Sequence, residues 1–348
     1  MEAHDYVRDL LSTYYTRANL YLPKDFMLRE FAFQLYGRRV YVRHLSFQSI
    51  AALREYLVRN TPLQAYYSSA LYRDPAAERM EDKGWLGSEI MFDIDSDHIE
   101  GCTPQVISTN GSGGLKEEVK VVTPKCIELS KEHVLRLLDI LHDELGFSSS
   151  EVMTYFTGNR GFHVIVRPRD SEWLRISSVH RRELVDYIKG TGLDIKRLLP
   201  SLKAKRVKVR EFKPSDGGWR GRLAKAGVGI DSLRSGIDLT RKCGVEIDEQ
   251  VTQDISRLIR IPGSINGKSG LPALLLSEGS LASFRLGTHL SPFNGSAIVI
   301  PYVDIPKDTV ILGKRLNMRY RRGCKARIEL PIALLLALNN IARIVDLY

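Results

Sequence analysis

Ser88-Glu89-Ile90-Met91-Phe92-Asp93-Ile94-Asp95-Ser96-Asp97-His98 is an apolar strand pattern that acquires three carboxylates at alternate positions. Side chains repeat every second residue along a strand, so the pattern places Asp93, Asp95 and Asp97 on one face and Ile90, Phe92 and Ile94 on the other, which reads as core. Three like charges on one edge repel one another and are stable together only when a cation or water neutralises them. A divalent-metal site is therefore one reading, and a solvated strand end running into an acidic turn is the other. A calcium loop is excluded. Counted from Asp93, its sixth and twelfth positions hold His98 and Pro104 in place of Gly and Glu.

The rest of the composition narrows the class of protein. The chain has 348 residues, enough for a large core and two domains or one domain with an insertion. A net charge of +10 favours a polyanionic partner, nucleic acid before an acidic membrane. Four cysteines, Cys102, Cys126, Cys243 and Cys324, stand without a C-x-x-C pair, which argues against a disulfide scaffold and a zinc ribbon and makes reduced thiols the expectation. No basic start precedes an apolar run at the N-terminus, so the sequence predicts a cytoplasmic protein without a signal peptide. The apolar stretch 330–347 is interrupted by Pro331, Asn339, Asn340, Arg343 and Asp346 and reads as a buried helix, not a membrane span.

In chain order, the spacing of Tyr6, Leu10, Leu11, Tyr14 and Tyr15 predicts a helix over 5–20. Strands are expected at 29–33, 40–47 and 65–69, with a helix at 49–60 between the last two. Residues 101–124, with Gly111-Ser112-Gly113-Gly114, read as an exposed excursion, and 128–145 as a long helix stopped by Gly146. From Arg167 to Gly244 the character changes to helix and a basic run of Lys203, Lys205, Arg206, Lys208, Arg210 and Lys213, read as an inserted helical subdomain within a catalytic domain of 1–166 and 245–348. The basic run is either a solvated face or a contact to a nucleic-acid backbone.

Two further stretches carry cations among glycines. In Thr157-Gly158-Asn159-Arg160-Gly161-Phe162-His163, strands flank a glycine turn whose backbone N–H groups could approach an anion, with Arg160 and His163 adding charge; a plain hairpin is the competing reading. In Arg257-Leu258-Ile259-Arg260-Ile261-Pro262-Gly263-Ser264-Ile265-Asn266-Gly267-Lys268-Ser269-Gly270, the glycines surround Lys268 without the spacing of a Walker A loop. Upstream, Val245 and Ile247 alternate with Glu246 and Asp248, so Asp248 is expected to project from a sheet as Asp93 and Asp95 do.

The blocks FDIDSDH (92–98), TGNRGFH (157–163) and RLIRIPGSINGKSG (257–270), in this order, together with REFAF (29–33) and YVRHLSF (41–47), resemble the archaeo-eukaryotic primase small-subunit family, most closely its archaeal catalytic subunits. The resemblance covers most of the chain outside 167–240. It implies an α+β prim-type catalytic domain with mixed or antiparallel sheets flanked by helices. It also implies a nucleotidyltransferase joining nucleoside triphosphates into short primers on single-stranded DNA, with a large subunit as partner. By the same resemblance Asp93, Asp95 and Asp248 would hold two Mg²⁺ or Mn²⁺ ions, with Asp97 outside the primary ligand set. Arg160, His163 and Lys268 would surround the triphosphate, with Thr157 and Ser264 as hydroxyl contacts and Asn266 beside them. Arg257 and Arg260 would support the phosphates or the acidic cluster, and Glu30, Tyr41 and Arg43 would stand by the sugar or the initiating triphosphate. Asn266 departs from the His common in the family. The family's zinc knuckle is reduced to Cys102 and Cys126, so a structural zinc is expected to be absent. A metal-dependent nuclease and a catalytically silent nucleic-acid-binding subunit remain as alternatives; the first needs no triphosphate cradle and the second no carboxylate triad.

Overall fold

The computed structural model of the chain describes residues 4–37, 40–110, 116–198, 211–228 and 242–348. Most of the basic run at 203–213 lies outside the described residues. The strands are β1 (Phe31–Leu35), β2 (Tyr41–Leu45), β3 (Pro62–Ser68), β4 (Ala70–Tyr72), β5 (Trp85–Ser88), β6 (Ile90–Asp95), β7 (Gln105–Asn110), β8 (Lys116–Val121), β9 (Val152–Phe156) and β10 (Gly161–Val166). After the insertion come β11 (Leu258–Arg260), β12 (Leu274–Leu276), β13 (Ser296–Pro301), β14 (Val310–Ile311), β15 (Lys314–Arg315), β16 (Ala326–Glu329) and β17 (Ala342–Leu347). Every strand pairing among the described residues is antiparallel, which gives the α+β architecture expected.

Two four-stranded sheets, ordered β11-β3-β1-β2 and β12-β9-β10-β6, carry the site between them. In the second sheet the period-2 pattern of β6 is realised: Phe92 and Ile94 are fully buried, whereas Asp93 and Asp95 keep partial exposure. The helix Pro124–Asp139 covers the apolar side through Ile127, Val134 and Leu137. Thr123 precedes it and Pro124 opens it, where the missing N–H costs no helical bond. The predicted helix over 128–145 therefore starts earlier and closes in a π turn, Ile140–Glu144, before Gly146 at φ +75°.

The stretch 167–244, expected as an inserted subdomain, contributes the helix Ser178–Lys189, whose Leu184, Val185 and Ile188 join the main core. Trp219, Leu223, Val228 and Cys243 form a second, small apolar cluster of their own.

A buried ion pair braces the two sheets. Arg29, fully buried at the entry to β1, donates from Nη1 to the Ser68 carbonyl at 2.7 Å and to Glu89 Oε2 at 3.1 Å, and from Nη2 to Glu89 Oε1 at 2.9 Å. Glu89 stands immediately before β6, so the fork of Arg29 ties the first sheet to the strand that bears the carboxylates. From the insertion, Arg181 donates to the Ser88 and Glu89 carbonyls at 2.9 and 3.0 Å.

Several expectations are corrected. The stretch 330–347 is a helix only over Leu330–Leu338; Asn340 at φ +55° turns the chain into β17, an edge strand in which Ala342 and Ile344 are buried and Arg343 is exposed. Residues 101–124 are not a formless excursion but the hairpin β7–β8, with Ile107 and Val121 buried. Cys102 and Cys126 are joined in a disulfide, so the expectation of reduced thiols fails for this pair. The bond clips the base of the hairpin to the helix Pro124–Asp139 across 24 residues. Closing a loop of that length contributes about 3–4 kcal/mol through the unfolded chain. Thermal unfolding with and without a reductant should show that loss, and a Cys102→Ser, Cys126→Ser variant should melt like the reduced protein.

Candidate active site

The cleft between the two sheets encloses a cavity of about 370 Å³. One wall comes from β6 and the β9–β10 hairpin (Asp93, Asp95, Thr157, Asn159, Arg160, His163), the other from the first sheet (Gln34, Tyr41, Gln64, Tyr66, Arg257, Arg260). The loop after β11 closes it with Asn266 and Lys268.

Sheet register sets the first wall. His163 pairs directly with Asp93 across β10 and β6, and Gly161 with Asp95. A Cβ at Gly161 would lie 2.0 Å from the Ile94 carbonyl oxygen, so only glycine lets the strands close at this point. At the other end of the turn Gly158 has φ +85° and touches Asn266 and Leu271. Asn266 Nδ2 donates to the Thr157 carbonyl at 3.0 Å and its Oδ1 accepts from Lys268 N at 3.0 Å, while Ser269 donates to the Gly158 carbonyl. The two glycine loops are thereby locked together, with Arg160 and Lys268 on one rim.

The electrostatics leave several charged groups without partners. Asp93 Oδ1 is buried without a hydrogen-bond donor, with His163 Nε2 3.4 Å away. Burial, then Asp95, then Asp248 raise the Asp93 carboxyl well above the usual carboxylate range, and burial raises the Asp95 carboxyl against the pull of Arg160. Burial, with the cations Arg260 and Arg257, holds His163 neutral by pushing its pKa well below the ordinary value. Its Nδ1 is 2.6 Å from the Tyr155 hydroxyl, which donates onward to the Arg260 carbonyl at 3.1 Å. Arg260 stacks over the Tyr66 ring at 4.9 Å and donates from Nη2 to its hydroxyl, but its Nη1 is buried without an acceptor. Orphaned donors and acceptors in one cavity mark a place for a ligand.

Because ionising Asp93 in the folded, metal-free protein is costly, its contribution to stability is present below its unfolded value and is lost as pH rises through the elevated folded value. In EDTA, Asp93→Asn should therefore melt at a higher temperature than the parent at pH 8, with the difference shrinking toward pH 4. Added Mn²⁺ should raise the melting temperature of the parent and not of the variant.

Asp248 is brought to the same place by a different route from the one its alternating neighbours suggest. Residues 245–248 form no strand, though the Asp248 backbone is extended. Asp248 N donates to the Asp93 carbonyl at 2.9 Å, and its Oδ1 caps the helix Glu249–Gln253 by accepting from Gln250 N and Val251 N at 3.0 and 3.3 Å. Asp93 and Asp95 thus stand as a pair and Asp248 Oδ1 is engaged beside them; among the described residues no three acidic, His or Cys side chains form a ready metal cage.

Other expectations fall outside the cavity. Asp97 is not on the strand face: the chain leaves β6 after Asp95 into a 3₁₀ turn, Ser96–His98, and Asp97 pairs with Arg160. Glu30 is buried and accepts from Arg43 Nε at 2.9 Å and from His44 N at 3.3 Å, with Lys83 Nζ at 3.6 Å, so Glu30 and Arg43 stand behind the wall. Ser264 is buried with its hydroxyl on the Ile261 carbonyl at 2.7 Å. Conversely, Gln34, Gln64 and Tyr66 line the cavity without having been singled out; Gln64 and Tyr66 sit two apart on β3, a period-2 polar face readable in the sequence.

The chain matches the DNA primase small-subunit family over residues 92–274, a span holding both carboxylate elements and both glycine loops. It is 37% identical to the DNA primase small subunit PriS of Saccharolobus solfataricus across 97% of this chain and 94% of that protein. The chain belongs to the DNA primase small-subunit family. Related proteins of the same name occur in Hyperthermus butylicus, at 36% identity over 98% of this chain and 97% of that one, and in Aeropyrum pernix, at 41% over 78% and 74%. Within the family span lie Asp93, Asp95, Thr157, Arg160, His163, Asp248, Arg257, Asn266 and Lys268, whereas the cavity wall made by Gln34, Tyr41, Gln64 and Tyr66 precedes it. No described helix is long and apolar enough to cross a membrane.

Proposed function

We propose that this chain is the catalytic subunit of a DNA primase, a nucleotidyltransferase that joins nucleoside triphosphates into short primers on a single-stranded DNA template for replication, with a large subunit as partner. The observation that carries this reading is the cavity itself. It sets Asp93, one oxygen of which has no donor, and Asp95, paired with Arg160, against Arg257, Arg260 and Lys268, with one Arg260 guanidinium nitrogen lacking an acceptor. A triphosphate with its cations supplies both missing partners.

Asp93 and Asp95, joined by Asp248 once its carboxylate leaves the helix cap, are the hard oxygen ligands that Mg²⁺ or Mn²⁺ requires. When bound, two such ions would activate the primer 3′-hydroxyl and stabilise the departing pyrophosphate. The protein's own part is positioning. Arg160 and Lys268 on the rim and Arg260 on the opposite wall take triphosphate oxygens, with the Thr157 loop beneath and Arg257 beside the acidic pair. His163, held by Tyr155, orients toward the same phosphates. In the transfer the 3′-oxygen bonds to the α-phosphorus, the bond to the β-phosphate oxygen breaks, and pyrophosphate leaves. Tyr41, half exposed beside Tyr66, stands on the sugar side, with Glu30 and Arg43 supporting it from behind.

The pairing of Cys102 with Cys126 leaves no thiolate on either residue, which supports the reading that this chain carries no zinc knuckle. Metal analysis finding about one tightly held zinc per chain would overturn it.

Primer synthesis on single-stranded DNA with labelled nucleotides and Mg²⁺ or Mn²⁺, comparing the parent with Asp248→Ala, tests the main proposal. Synthesis by the parent and its loss in the variant are expected. Degradation of the template without synthesis would instead establish a nuclease, and binding without either reaction a silent subunit.

A further inference from the structure

Arg160 stands between two carboxylates. Its Nη2 is 2.7 Å from Asp95 Oδ2, and its Nη1 bonds to Asp97 Oδ2. The backbone fixes this triangle: Ser96 N donates to the Arg160 carbonyl at 3.1 Å, and Gly161 pairs with Asp95. Arg160, with Asn159 and Lys268, lines both the catalytic cavity and another of about 270 Å³, which Asp97, Glu118, Lys120 and Asn339 also line.

The arrangement poses a competition. Arg160 bonds to Asp95, one of the carboxylates on which a metal ion would depend. An ion seated there displaces the guanidinium, and a displaced arginine with no second anchor regains the rotamer freedom of a long side chain, worth as much as about 2 kcal/mol. Asp97 is that second anchor. It lies in a turn hydrogen-bonded to Arg160's own backbone, and it is absent from the lining of the catalytic cavity.

We propose that Asp97 is a positioning residue: it retains the Arg160 guanidinium at the rim of the catalytic cavity when Asp95 turns to metal, so that the arginine meets the incoming triphosphate from a fixed place. The inference rests on the reading of Arg160 as a triphosphate contact. It runs against simple electrostatics. A carboxylate near a triphosphate repels it, so removing Asp97 as a bare charge would tighten nucleotide binding. Removing it as an anchor weakens binding.

The test is equilibrium binding of a fluorescent nucleoside triphosphate to the full chain with Ca²⁺ in place of Mg²⁺, read by anisotropy. For Asp97→Asn the dissociation constant should rise about five- to tenfold, the loss of one charge-assisted contact's worth of positioning. Asp97→Glu, which keeps the carboxylate, should restore most of it. In an Arg160→Ala background, itself weakened, Asp97→Asn should leave the constant unchanged or lower it, since no guanidinium remains to anchor. Unchanged or tighter binding by Asp97→Asn in the parent background would overturn the role of Asp97 alone. Parent-like binding by Arg160→Ala would overturn the reading of Arg160, and with it this inference. Primer synthesis that fails in Asp248→Ala but survives either result keeps the function proposed above separate from both.

Discussion

Asp93→Asn should abolish primer synthesis while leaving the fold intact and somewhat more stable without metal. The substitution keeps the shape of a side chain that sits between His163 and the backbone contact from Asp248 N, so the register of β6 against β10 persists. What it removes is a hard anionic oxygen that no donor in the protein satisfies. A metal ion contributes several kcal/mol of charge stabilisation in phosphoryl transfer, and each 1.36 kcal/mol is about a factor of ten in rate. A fall of about three orders of magnitude or more in steady-state synthesis is expected, with triphosphate binding in Ca²⁺ reduced far less, because the cationic wall remains. A variant that keeps a tenth of the parent rate would show that Asp93 is not a metal ligand of the reaction.

Arg29→Leu should produce the largest loss of stability of any single change in the cleft. Arg29 is fully buried and satisfies two backbone carbonyls and both oxygens of Glu89, itself buried. Arg167, which also reaches Glu89, is half exposed and does not replace the Arg29 donor at the Ser68 carbonyl, whereas the Ser69 carbonyl keeps Glu89 N. Removing Arg29 leaves the buried Glu89 with the half-exposed Arg167 alone, and breaking a buried pair costs about 3–5 kcal/mol. Chemical denaturation should show a loss of that size. The double variant Arg29→Leu, Glu89→Leu should recover part of it, since no lone charge remains, yet its synthesis should stay low because the brace between the sheets is gone. Equal destabilisation by the single and double changes would mean that packing, not charge, is what Arg29 supplies.

What the sequence disclosed and what it concealed follow the range of the forces involved. The alternation of Ile90, Phe92 and Ile94 with Asp93 and Asp95 is a local, period-2 signal, and it placed the carboxylates correctly. It overreached by one step at Asp97, because a strand pattern does not announce where hydrogen bonding to a neighbour stops and a 3₁₀ turn begins. The glycine loops were legible through residue type, since Gly161 and Gly158 occupy positions where a Cβ collides or the backbone turns left-handed. Asp248 was found by residue type and resemblance, but its mode of approach was not, since that depends on a single backbone hydrogen bond to a strand more than a hundred residues earlier. Glu30 was read as standing by the nucleotide, and Arg29 precedes it in the same block. Their burial gives them the structural work of holding the sheets and of orienting Arg43. The strand after Asn340 was signalled by the β-branched Ile341, Ile344 and Val345, outweighed in the reading by the apolar run before them. The disulfide needed the proximity of two cysteines that spacing alone does not establish.

The most direct measurement is a crystal structure of the chain with Mn²⁺ and a non-hydrolysable nucleoside triphosphate, read at the manganese absorption edge. Anomalous peaks are expected between Asp93 and Asp95, with the Asp248 carboxylate turned from its helix cap onto the metal and Arg160 moved from Asp95 to the phosphates. Manganese bound elsewhere, or a nucleotide seated without contact to Asp93, would contradict the assignment of this cleft as the polymerising centre.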